Sequence, residues 1–137
     1  MNADQAELIA SDITERVIGV FFGVYNDLGA GFLESVYQNA MAIALREAGL
    51  KVEQQFPLTV SFRGETVGEF RADLLVENVV VLELKAVAQL TSAHEVQLVN
   101  YLKATGAPVG LLLNFGRSAQ FKRRVLSQSE KIRVNPR

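Results

Sequence analysis

Apolar residues at Ile13, Val17, Val20, Phe21, Val24 and Leu28 recur at spacings of four and three, the stripe of an amphipathic helix ending between Asn26 and Gly29. Leu28-Gly29-Ala30-Gly31 reads as a helix stop and a tight turn. Leu33, Val36, Tyr37, Ala40 and Ala44 then begin a second helix, closed by Gly49. From Leu50 to Lys85 the period falls to two. Leu58, Val60 and Phe62 alternate before Arg63-Gly64, and Ala72, Leu74 and Val76 alternate before Glu77-Asn78, which predicts antiparallel strands joined by turns. Val79 to Leu84 is apolar on both faces except at Glu83, the pattern of a central strand covered on both sides. Ser92-Ala93-His94-Glu95 fits a capping box, with Ser92 at the N-cap, opening a helix that runs to Lys103 and closes at Gly106. Pro108 to Phe115 is a short buried strand, and a strand, helix, strand succession of this length implies a right-handed crossover that lays it parallel to Val79–Leu84. The predicted order is α, α, β, β, β, α, β, an α/β fold of the α+β type with a mixed sheet flanked by helices.

With 137 residues, 49% of them hydrophobic, the chain is sized for one domain with its own core. We expect residues 1–137 to form that domain, with its core over about 13–115 and a basic segment over 116–137. The absence of cysteine excludes disulfides, zinc-thiolate sites and thiol catalysis, and fits the cytoplasm. The most apolar stretch, Val17 to Tyr25, is too short to span a bilayer, so no membrane association is expected. Net charge is −1, but from Arg117 onward seven basic residues face one acid. That stretch therefore carries +6 and the rest of the chain −7. Lys122, Arg123 and Arg124 within it are candidate phosphate contacts.

Glu83 and Lys85, two apart on one strand, emerge on the same face. In a run that otherwise reads as buried hydrophobe, a carboxylate and an ammonium need a compensating partner, either a metal or each other. Asp73 lies on the preceding strand, and the register decides whether it joins them. A two-residue loop at Glu77-Asn78 pairs Asp73 with Leu82, on the wrong face; a three-residue loop or a bulge sets it across from Glu83. In the second case two carboxylates and the backbone carbonyl of Leu84 offer the hard oxygen ligands that Mg²⁺ or Mn²⁺ takes, with Lys85 placed to orient a nucleophilic water or offset charge on phosphorus. His94, Gln97 and Tyr101 share one face of the third predicted helix. Gln97 is a candidate to hold a water or a phosphate, Tyr101 to contact a nucleotide, and His94 is a weaker candidate, more simply a capping residue. Glu34 is a further candidate carboxylate, and Tyr37 beside it a candidate nucleotide contact.

These residues carry a resemblance. Gly31-Phe32-Leu33-Glu34-Ser35-Val36-Tyr37 matches the signature of the bacterial GxxExxY protein family, a branch similar to PD-(D/E)XK nucleases, and RADLLVENVVVLELKAV and TSAHEVQLVNYLKATG resemble its central segments. The likeness spans roughly Ile13 to Phe115. It implies an αβββαβ core preceded by an extra helix, with Asp73, Glu83 and Lys85 in the positions of the superfamily motif and Ala72 in place of its proline. Gln97 to Tyr101 also resembles the QxxxY motif of nuclease domains in recombination and repair enzymes. The function so implied is divalent-metal-dependent hydrolysis of DNA or RNA phosphodiesters, with DNA favoured. The alternative is a noncatalytic nucleic-acid- or protein-binding module that keeps the fold. A homodimer or a larger complex is compatible with either.

Overall fold

In the computed structural model, which describes residues 3–126, the elements follow the predicted order with one addition. Helices α1 (Ala3–Leu28) and α2 (Glu34–Glu47) precede strands β1 (Val52–Phe62), β2 (Glu65–Val76) and β3 (Val80–Lys85). Helix α3 (Ser92–Thr105) and strands β4 (Val109–Phe115) and β5 (Ala119–Val125) follow. The sheet order is β1-β2-β3-β4-β5. β3 and β4 run parallel across the α3 crossover, and the other neighbours are antiparallel.

Two apolar layers sandwich the sheet. On one face, Ile13, Val17 and Phe21 of α1 and Met41 and Leu45 of α2 pack on Leu74, Val76, Leu82, Leu84, Leu111 and Leu113. On the other, Leu98 and Leu102 of α3 pack on Leu75, Val81 and Leu112. β3 and β4 are thus buried on both sides, as their near-continuous apolar sequence requires. α3 sits tight on β4 at Gly110, where a Cβ would come 2.7 Å from the Leu98 side chain. The glycine is there for that approach.

Three expectations need correction. First, Ala72, Leu74 and Val76 do not share a face: Ala72 packs under α3, whereas Leu74 and Val76 pack under α1 and α2. The alternation breaks at Asp73. β1 breaks opposite it, at Gln55, whose φ of 52° is left-handed and which drops out of the ladder between Gln54↔Leu74 and Phe56↔Ala72. Second, Thr91 and not Ser92 caps α3. Its hydroxyl accepts from the N–H of His94, and its own N–H donates to His94 Nδ1 at 3.0 Å. Third, the basic segment over 116–137, to which the sequence pattern assigns no definite strand, supplies one at residues 119–125. They form β5, an edge strand paired to β4 along its length. Residues 127–137, with the remaining basic positions, lie outside the described residues.

Candidate active site

The β2–β3 turn sets the register on which the site depends. Glu77 and Asn78 both take left-handed φ, 52° and 61°, and the Val79 N–H donates to the Val76 carbonyl at 3.0 Å. A two-residue turn of this kind would pair Val76 with Val79. Instead the ladder begins at Val76↔Val80 and continues through Leu75↔Val81 and Leu74↔Leu82, so Val79 is the one extra residue. Continued by one step, that register faces Asp73 with Glu83.

At that step the ladder stops and side chains replace it. The Asp73 N–H donates to Glu83 Oε1 at 3.1 Å, and the Leu84 N–H donates to Asp73 Oδ2 at 2.8 Å. Asp73 therefore reaches into the fork between β2 and β3, where the break in alternation frees it from either face. The two carboxyl groups are also hydrogen-bonded to each other. Glu83 is 5% exposed. Burial, and then the charge of Asp73, push its carboxyl well above the usual carboxylate range, to about 8. Burial also raises Asp73, opposed by the Leu84 N–H; Glu34 raises it further and Lys85 lowers it. At neutral pH Glu83, the buried member, therefore keeps its proton and shares it with the half-buried Asp73.

Two helices close on this pair from opposite faces of the sheet. Glu34 opens α2, and its charge reaches Asp73. Tyr101 of α3 accepts a hydrogen bond from Gln97 at 3.3 Å. Burial and then Glu83 raise its hydroxyl, with Gln97 opposing. Lys85 completes the face shared with Glu83. Asp73, Glu83, Lys85, Gln97, Tyr101 and Glu34 are thereby gathered at one end of the central strands.

Other candidates are placed elsewhere. Tyr37 is fully buried, stacked on Phe115 with ring centroids 4.2 Å apart. Its hydroxyl donates to the Gly29 carbonyl at 2.6 Å and accepts from the Phe32 N–H at 3.2 Å. It ties down the turn into α2, in which Gly31 adopts a φ of 111°, and leaves nothing free for a nucleotide. The Gly-x-x-Glu-x-x-Tyr spacing therefore works as a device that fixes the start of α2 and with it Glu34. His94 is committed to the α3 cap. Nor do the basic residues of β5 form one surface. Lys122 and Arg124 pair with Leu112 and Gly110, whereas Arg123 pairs with Leu111 and so faces the other way. Arg124 meets Glu95 at 3.6 Å.

Sequence reading passed over Asn114. It is buried in β4 beside Lys85, accepts from the Val87 N–H at 3.0 Å and donates to the Val87 carbonyl at 2.9 Å. This clamp fixes the chain as it leaves Lys85. The signal was present, since an amide in the run PVGLLLNF must find partners once buried.

The donor set suits a hard divalent cation. Asp73 and Glu83 already touch, and the proton they share is what a cation would replace. Among the described residues no cluster of three or more histidine, cysteine or acidic side chains stands ready to ligate a metal. Two neighbouring carboxylates fit a cation that keeps much of its water and not a full protein cage.

A mixed sheet with an acidic fork between its central strands defines a nuclease-like α/β domain. The family model of the PD-(D/E)XK nuclease superfamily matches residues 11–125, and the chain belongs to that superfamily, whose nucleases typically use divalent metals. The match takes in β5, beyond the core expected from sequence. Among solved structures, the protein described as SSO0001 is 17% identical with a TM-score of 0.56, over 73% of this chain and 54% of that one. A protein from Eubacterium rectale to which exonuclease activity is attributed is 13% identical, over 98% of this chain and 63% of that one. Its TM-score is 0.42. The chain thus spans less than two thirds of either. No curated protein matches. Among the described residues no helix is long and apolar enough to cross a membrane.

Proposed function

We propose that the domain hydrolyses phosphodiester bonds of nucleic acid, DNA before RNA, with Mg²⁺ or Mn²⁺ held by Asp73, Glu83 and the Leu84 carbonyl. The contact of Asp73 with Glu83 in the β2–β3 fork carries this reading. A fork that exists only because Val79 shifts the register, and that buries Glu83 against a half-buried Asp73, costs stability in the metal-free protein. A site for a cation accounts for it.

When bound, the metal supplies a Lewis acid for the scissile phosphate. Lys85, on the face of Glu83, orients the attacking water and offsets charge gathering on the phosphoryl oxygens. Gln97 holds a water or a phosphate from the α3 side, Tyr101 contacts the nucleotide, and Glu34 adds a further carboxylate near Asp73. The Gly31 to Tyr37 signature supports placement in the GxxExxY branch. One observation favours the noncatalytic alternative: among the described residues no buried side-chain nitrogen or oxygen is left without a hydrogen bond, so the pair is satisfied as it stands.

Purified protein incubated with single-stranded, duplex and branched DNA and with RNA, in Mg²⁺ or Mn²⁺, separates the two. We expect cleavage that EDTA stops and that Glu83→Gln and Lys85→Ala each abolish. Cleavage that survives both substitutions is contamination. Binding without cleavage on every substrate favours the noncatalytic module.

A further inference from the structure

A groove of about 880 Å³ opens between α3 and the β1–β2 hairpin. One of its lining residues, Tyr101, lies near enough to the acidic fork for the Glu83 charge to reach its hydroxyl. Its apolar walls are unusually open to solvent: Phe70 is 46% exposed, Val60 39% and Val96 59%. Phe70 sits over Gly68, where a Cβ would come 3.1 Å from its ring, so the glycine lets the ring lie along the sheet. The Tyr101 ring stands 6.1 Å from it at 43°. Interleaved with these are amide side chains, Gln97 and Asn100. Among the lining residues Lys103 bears the one fixed charge.

Such a lining does not suit a phosphate chain, which needs a row of cations. Nor does it suit an intact duplex, whose base faces are stacked and whose pairing edges are occupied. Aromatic faces with amide donors and acceptors at their margin, in a neutral groove, fit a planar, neutral, hydrogen-bonding ring. We propose that the groove is a subsite for an unpaired nucleobase, stacked on Phe70 and Tyr101 and met at its edge by Asn100. The substrate is then single-stranded, or melted, beside the scissile phosphate. The assignment rests on the phosphodiesterase reading and narrows it.

The test compares wild type, Phe70→Ala and Phe70→Trp for binding, in EDTA, to a labelled oligothymidine, to the same oligomer with abasic sites, and to a duplex. Phe70→Ala should weaken oligothymidine binding on the order of 10-fold to 100-fold, the loss of one stacked base, and Phe70→Trp should restore it. Wild type should hold the abasic strand as weakly as Phe70→Ala holds the intact one. Equal binding by wild type and Phe70→Ala, equal binding of intact and abasic strands, or tighter binding of duplex overturns the proposal. So does sedimentation showing that Phe70→Ala breaks a dimer while oligomer affinity is unchanged, since the groove is then a self-association surface. Cleavage assays in Mg²⁺ separate this from the parent reading. Base-dependent binding without cleavage sinks the phosphodiesterase and leaves the subsite; cleavage indifferent to Phe70 and to the bases sinks the subsite alone.

Discussion

Because burial and the neighbouring Asp73 charge raise the Glu83 carboxyl from an ordinary 4.5 to about 8, the folded metal-free protein keeps a proton that the unfolded chain has already released. Between those two values the native state binds more protons than the unfolded one, so stability falls as pH rises. One proton sets the limiting slope at about 1.4 kcal/mol per pH unit, and the slope vanishes below the lower value and above the upper. Asp73, also raised, acts in the same direction. Urea melts of the metal-free protein should therefore weaken from about pH 5 to about pH 8, and Glu83→Gln should flatten much of that decline. A flat wild-type profile would mean that the pair is not desolvated as described. At this scale the sequence was partly legible. The spacing of Glu83 and Lys85 on an apolar strand showed a shared face. Tyr37 was misread because a three-residue spacing from Glu34 is the same whether the ring meets a ligand or the core, and spacing does not report burial.

Elements decide where those residues meet. α3 carries Gln97 and Tyr101 to the fork because Gly110 lets Leu98 settle onto β4. Gly110→Ala would set a Cβ 2.7 Å from Leu98 and 3.1 Å from Leu102, and we expect a loss of about 1–3 kcal/mol, the usual cost of overpacking, read as a lower urea midpoint. The proposed phosphodiesterase activity should fall by more than the unfolded fraction explains, since the lifted helix carries Gln97 and Tyr101 away. An unchanged midpoint would show that α3 accommodates the methyl by sliding. The helices and central strands were legible because burial on one or both faces leaves a period in the chain. The break at Asp73 was hidden, since Ala72, Leu74 and Val76 alternate in sequence while facing different layers, and alanine fits either layer. β5 escaped for another reason. An edge strand needs few apolar positions, and Lys122, Arg123 and Arg124 are the kind of charge that guards an edge against stray pairing. Such a strand has the composition of a tail.

For the molecule as a whole, the proposed metal site links cation, proton and fold through the same two acids. A cation that binds only the folded state raises stability by about 2.7 kcal/mol at one hundred times its Kd, enough to raise the melting temperature of a domain this size by several degrees. To bind it must displace the proton shared by Asp73 and Glu83, so its affinity should rise with pH until about 8 and level off there. Thermal melts with and without Mg²⁺ should accordingly differ little near pH 5 and most near pH 8, the range in which the metal-free protein is weakest. Glu83→Gln and Asp73→Asn should remove the difference. Lys122→Gln, on β5, should leave it intact, which separates site binding from general charge screening. If wild type shows the decline with pH but no response to Mg²⁺ or Mn²⁺ at any pH, the shared proton is the pair's resting partner, and the fork serves the fold without serving a cation.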